Sequence, residues 1–183
     1  MSGRRAFEDQ LHRFRMVVAR WIRPQEVAAV SLVSAPVTLK LRYRHLPLRA
    51  MAWYRLASWA KAQGIPGFPG YVQRRLVRHY GLELSPGDHV AGGLYIAHPV
   101  GCTLAAERIG TNVTVIADVT FGARNEYEWP RIGDDVFLGA GARIIGGIEV
   151  GDGALIGANA VVVKDVPAGV TVVGIPARPI EST

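Results

Sequence analysis

The chain has 183 residues, 49% of them hydrophobic and 20% charged, and one cysteine. That length suits one domain or a domain with an appendage, and a single cysteine excludes an internal disulfide. The net charge of +6 hides a division: residues 1–80 hold 15 Lys/Arg against 3 Asp/Glu, and residues 81–183 hold 6 against 12, so the basic half is expected to face something acidic.

The first residues are polar and charged, without the apolar core of a secretory leader. Together with the lone thiol this predicts a reducing, cytoplasmic setting. Apolar residues at Leu11, Phe14, Met16, Val17, Val18 and Trp21 predict a helix over Phe7–Ile22, stopped before Pro24. Val27–Leu41 is apolar but interrupted by Pro36 and too short to span a bilayer, which takes about 20 apolar residues. With its basic surroundings it is read in two ways: as helix packing, or as a peripheral contact with an anionic membrane. Leu48–Gln63 is the clearest helix of this half. Gly64, Pro66, Gly67, Pro69 and Gly70 predict a loop, and Tyr71–Tyr80 predicts a last helix closed by Gly81. Residues 1–80 thus form an N-terminal helical region, and 81–183 a second unit of different construction.

From Leu84 an aliphatic residue returns every six positions: Val90, Ile96 and Cys102, then Ile109, Val115 and Phe121, then Ile132, Leu138, Ile144, Val150, Ile156 and Val162. Six residues suit one short strand and one bend, so three of them predict a rung of about 18 residues in a three-sided parallel coil. Small residues such as Gly110, Gly133 and Gly151 suit the sharp bends. Cys102, on a repeat position, is read as a buried small hydrophobe rather than a reactive thiol. The period breaks twice, by one residue between Cys102 and Ile109 and by five between Phe121 and Ile132. The second break carries Tyr127, Glu128 and Trp129, more aromatic and charged surface than a solvent loop needs, and marks an acceptor-binding loop. Beyond Pro167 the tail Gly174–Pro179 is expected to leave the coil.

Two side chains suit acid–base chemistry. His98, in Ile96-Ala97-His98-Pro99, is of a type that takes a hydroxyl proton near neutral pH. A lone histidine is more often structural. Glu83 lies fifteen residues earlier, close to one corner on a neighbouring rung, where a carboxylate could hold the imidazole. Its plain alternative is a solvated rim charge. Gly139-Ala140-Gly141-Ala142 and Gly157-Ala158-Asn159-Ala160 stand one rung apart and let a ligand approach backbone amides, though every such corner needs small residues. Lys164 and Arg178 supply cations for a phosphate beyond them. A metal site of three histidines is disfavoured, since the coil has only His89 and His98.

These residues resemble the hexapeptide-repeat acyltransferases, specifically the serine acetyltransferase branch, over about residues 45–180. The resemblance rests on the six-residue repeat, on Trp53–Trp59, on Tyr80-Gly81-Leu82-Glu83-Leu84-Ser85-Pro86 and on the ending Gly174-Ile175-Pro176-Ala177-Arg178. It implies a mostly β fold, a left-handed parallel β-helix, with acetyl-CoA as co-substrate and no metal. It also implies His98 as general base and Glu83 as its orienting acid. Backbone near Gly122, Ala140 and Ala158 would hold the thioester arm, and Lys164 and Arg178 the nucleotide phosphates. Subunits would form a homotrimer, or a dimer of trimers, with sites between chains. Two departures stand out: Ala97 replaces an Asp before the histidine, and Glu128-Trp129 replaces an Arg-His pair. Trp stacks on a sugar ring and Glu accepts hydroxyl bonds, so the acceptor expected is a sugar or glycan hydroxyl, as in bacterial polysaccharide synthesis. Serine is the alternative acceptor, and a non-catalytic or metal-binding β-helix a third reading. No nucleic-acid partner is expected.

Overall fold

The computed structural model describes residues 3–22, 45–87, 89–125 and 127–180. The apolar stretch Val27–Leu41 lies outside the described residues. Among the described residues three helices, α1 (Gly3–Ile22), α2 (Leu46–Ala62) and α3 (Phe68–Tyr80), precede fourteen short strands. Helix α3 starts three residues earlier than its periodicity predicts. Pro69 falls in its first turn, where the missing N–H costs no hydrogen bond. Gly81 closes α3 in the left-handed region, φ 61°, where its N–H reaches the carbonyl of Val77.

The strands are β1 (Leu82–Glu83), β2 (Tyr95–His98), β3 (Cys102–Leu104), β4 (Arg108–Ile109), β5 (Thr114–Ala117), β6 (Thr120–Gly122) and β7 (Arg131–Ile132). They continue as β8 (Phe137–Leu138), β9 (Arg143–Ile145), β10 (Glu149–Val150), β11 (Leu155–Ile156), β12 (Val161–Val162), β13 (Thr171–Val173) and β14 (Arg178–Pro179). They form the three faces of a parallel coil. The first is β1-β3-β6-β9-β12, the second β4-β7-β10, and the third β2-β5-β8-β11-β13-β14. In the lower rungs, register partners are 18 residues apart, as in Ile132↔Val150, Leu138↔Ile156 and Ile144↔Val162. Two-residue strands would have no stability alone. Stacking gives each a neighbour above and below and a shared apolar interior, the arrangement a short repeat requires.

The register corrects one position of the repeat. Leu82 pairs with Cys102, so Leu84 stands over Leu104 and not over Cys102. Leu104 pairs with Phe121, and Phe121 with Ile144. The large residues of the first face are therefore Leu84, Leu104, Phe121, Ile144 and Val162, all buried. Cys102 shares the second inward column with Leu82, Val119, Ala142 and Ala160. Its reading as a buried small hydrophobe stands: it is 1% exposed, and burial pushes its thiol up from the ordinary value. Counting by sixes fails here because eight residues separate Ile96 from Leu104, and only five separate Leu104 from Ile109. The corner after His98 is two residues wider than the corners below it.

The helices close the upper end of the coil. Buried Arg55 donates from Nη1 to the Val90 carbonyl at 2.8 Å and from Nη2 to the Ala91 carbonyl. The Tyr54 hydroxyl donates to Gly87 O at 3.0 Å, Lys61 Nζ to Pro86 O at 2.9 Å, and the Gly87 N–H to Ser58 Oγ at 3.0 Å. Backbone groups of the first rung that would otherwise form an open edge are thereby satisfied. At the lower end the tail does not depart from the coil as its proline-rich sequence suggests. It folds back as β14, antiparallel to β13, with Val173 opposite Arg178. Among the described residues no helix is long and apolar enough to cross a membrane.

Candidate active site

His98 ends β2 and opens the widened corner, in the rung next to the helices rather than the middle of the coil. Its ring is exposed and its register partner is Ala117. The carbonyl of Ala117 accepts the N–H of Gly141 at 2.9 Å, and the carbonyl of Ala140 accepts the N–H of Asn159 at 2.8 Å. His98, Ala140 and Ala158 thus share one corner of the prism on successive rungs. Gly139 keeps this corner tight: a Cβ there would stand 2.6 Å from the Ala158 nitrogen. A thioester arm lying along the column would meet backbone edges rather than side chains.

Glu83 lies on β1, beyond the same corner. The N–H of Gly101 reaches Gly81 O at 3.0 Å, and Glu83 pairs with Thr103 in register. Its exposed carboxylate accepts the Thr103 hydroxyl at 3.4 Å, and among the described residues no hydrogen bond joins it to His98. The repeat spacing brought the two to one corner. It did not reveal that the corner is widened by two residues, which sets Glu83 farther along the face.

Gly122 lies elsewhere. It ends β6, and its carbonyl accepts the N–H of Gly146 at 2.8 Å, at the corner between the first and second faces. From Asp118 to Gly122 the chain advances four residues, about 13 Å at roughly 3.3 Å each. The extruded loop leaves from this second corner. Tyr127 is 87% and Trp129 39% exposed, while Glu128 packs on Gly147, where a Cβ would come within 3.1 Å of the glutamate's own Cβ. Asn125 Oδ1 accepts the Tyr127 N–H at 3.1 Å and stiffens the turn. Pro130 is buried, and its carbonyl accepts the N–H of Glu107 at 3.0 Å, anchoring the far end. One chain therefore presents His98 and the loop at different corners.

Lys164 and Arg178 do come together. Both line a cleft of about 170 Å³ with Asp165, Pro176 and Pro179, because β14 folds the tail back beside β12. The N–H of Ala177 donates to Val161 O at 2.8 Å and fixes that return.

The column also holds a pair that sequence reasoning missed. Asp118 follows Ala117 in a left-handed conformation, φ 50°, and its carboxylate lies under Gly101. Arg143 donates from Nη2 to Asp118 Oδ2 at 2.9 Å and from Nη1 to the Asp118 carbonyl. Short Asp and Asn side chains tolerate such corners, as at Asn112 and Asn159, so the residue type alone gave no signal. On the second face, Arg131 grips Glu107 with two bonds of 2.9 and 2.7 Å and holds that carboxyl below its usual range. Both groups are exposed, so this pair is read as surface structure. Among the described residues no group of three or more His, Cys, Asp or Glu is placed to hold a metal ion.

A three-faced coil of six-residue repeats, with small corners and a histidine at a widened bend, defines a class. The family described as bacterial transferase hexapeptide, with six repeats, matches residues 130–164 of the chain. The chain is similar to serine acetyltransferases. It is 34% identical over 134 residues to that of Buchnera aphidicola, covering 70% of this chain and 49% of the relative. The crystal structure of Neisseria gonorrhoeae serine acetyltransferase in complex with serine superposes with a TM-score of 0.78 at 29% identity, covering 97% of this chain and 72% of that one. A serine acetyltransferase in complex with CoA gives 0.72 at 29% identity, over 92% and 68% of the two chains. The chain spans about half the length of the curated relatives it matches. These similarities do not support the expected leaning toward polysaccharide acetyltransferases.

Proposed function

We propose that this protein is an acetyl-CoA-dependent O-acetyltransferase with serine as its acceptor. The supporting observation is the similarity to a serine-bound serine acetyltransferase over 97% of the chain, with a CoA-bound relative of the same fold. The glycan hydroxyl expected from the loop residues becomes the second reading. His98 takes the proton from the acceptor hydroxyl as the oxygen attacks the acetyl carbonyl of the thioester. The carbon–sulfur bond breaks, and the departing thiolate regains the proton from the imidazolium. The thioester arm runs along the corner of Ala140 and Ala158 and extends toward the cations of Lys164 and Arg178, which meet the nucleotide phosphates. Gly122 and the loop serve this site from a neighbouring subunit, since one chain sets them at another corner. The assembly is accordingly a homotrimer, or a dimer of trimers. Sedimentation is expected to show a multiple of three chains, and an active monomer would contradict it.

Glu83 carries the lesser role of steadying the imidazolium by its charge, because Thr103 and not His98 holds its carboxylate. Glu83→Gln is therefore expected to cost less than loss of the histidine.

One observation favours the glycan reading: exposed Trp129 and Tyr127 on the anchored loop offer a stacking surface that serine does not need. Comparing kcat/KM for serine with that for free sugars, nucleotide sugars and lipid-linked glycans separates the two. Serine is expected to be preferred, and Trp129→Ala to leave its KM within about twofold. If a glycan is preferred, and Trp129→Ala weakens it by about 1 kcal/mol, the serine assignment fails.

A further inference from the structure

The second half of the helical cap is without negative charge. Residues 45–80 contain six Lys/Arg and no Asp or Glu. Three of those cations have internal partners: Arg55 on the Val90 and Ala91 carbonyls, Lys61 on Pro86, and Arg75 over the Trp53 ring at 5.0 Å. Arg74 and Arg78 remain on the outside of α3. Burial of Val72, Leu76 and Tyr80 defines the inner stripe of this helix. Tyr71, Arg74 and Arg78, spaced three and four apart, form the opposite stripe, with Tyr71 and Val77 each 50% exposed. The exposed Ile65 precedes the same helix. This outer face alternates arginine with aromatic and aliphatic surface, and neither its own helix nor α2 carries an acid. It suits a plane of anionic headgroups, into which Tyr71 and Val77 can settle while the guanidinium groups stay at phosphate level.

We propose that the outer face of α3 docks the protein peripherally on anionic lipid. The surface lies on the outer stripe of α3, in the helical cap. This inference is independent of the acceptor's identity.

The test is co-sedimentation of the full chain with phosphatidylcholine vesicles, with and without phosphatidylglycerol. Binding is expected only with the anionic lipid and is expected to fall as salt rises. The Arg74→Gln/Arg78→Gln variant should bind these vesicles roughly 25-fold more weakly, at roughly fivefold per arginine. Its thermal unfolding, oligomeric state and turnover of soluble acceptor should be unchanged. Tyr71→Ser should weaken the binding that survives at high salt. Arg4→Gln/Arg5→Gln on α1 is the control and should bind as the parent does. Equal retention on both vesicle types overturns the proposal, as does loss of binding only in the α1 variant. Binding to heparin but not to vesicles would assign the face to an acidic polymer instead. A changed oligomeric state in the α3 variant would make it a subunit contact.

Discussion

His98→Ala is expected to lower kcat by roughly 10²–10⁴-fold, the usual worth of a positioned general base. The ring is exposed at the end of β2 with Ala117 as its register partner, so its loss leaves no cavity and no orphaned core group. Unfolding should therefore be unchanged, and CoA should bind as tightly as to the parent. In Lys164→Ala/Arg178→Ala the pattern should reverse: kcat holds while the KM for acetyl-CoA rises about tenfold, because charge-assisted phosphate contacts are lost at the far end of the arm. Unchanged turnover in the histidine variant would remove the base from its assignment. A joint fall of CoA binding and kcat would move His98 from chemistry to cofactor binding.

The second large effect concerns stability. Phe121→Ala is expected to destabilise the fold by about 3–5 kcal/mol, the usual cost of truncating a buried phenylalanine. Phe121 is fully buried and stands between Leu104 and Ile144 in the column of large residues on the first face. In a coil each rung contacts only its neighbours, so a cavity there weakens the joint between the first two rungs and the rest. Urea titration at fixed protein concentration measures it. A loss under about 1 kcal/mol would show that this column does not carry the coil. The same lesion should spare His98 chemically while raising the temperature sensitivity of turnover, since Phe121 lies one rung from that corner.

The six-residue return of aliphatics made the coil legible, because an inward side chain on every short strand is the physical condition for stacking rungs. It was less able to place residues around a corner. Leu104, not Cys102, continues the column of Leu84, and only the pairing of Leu82 with Cys102 reveals it. Counting along the chain cannot separate a two-residue widening at one bend from a one-residue shortening at the next. The misplacement matters for the site, since the widened bend is the one that carries His98, and Glu83 accepts the Thr103 hydroxyl instead.

Lys164 and Arg178 were singled out by charge and by the family resemblance, and the return of β14 explains why residues fourteen apart share a cleft. Asp118 and Arg143 were missed because Asp at a left-handed corner looks like ordinary turn chemistry, and their pairing depends on a register no repeat count supplies. The acceptor was the least legible part. Glu128 and Trp129 suggested a sugar from side-chain chemistry, whereas the similarity across the whole coil points to serine acetyltransferases. A loop of exposed side chains at one corner gives the chemistry of a surface, and which neighbour completes it is set by an assembly that one sequence does not display.

The most direct measurement is product identification by mass spectrometry, with purified full-length protein, acetyl-CoA and serine. The serine assignment predicts O-acetylserine and free CoA in equal amounts, at a rate that His98→Ala lowers by roughly 10²–10⁴-fold. Free CoA without acetylated serine, or no reaction with serine while a glycan is acetylated, would contradict it.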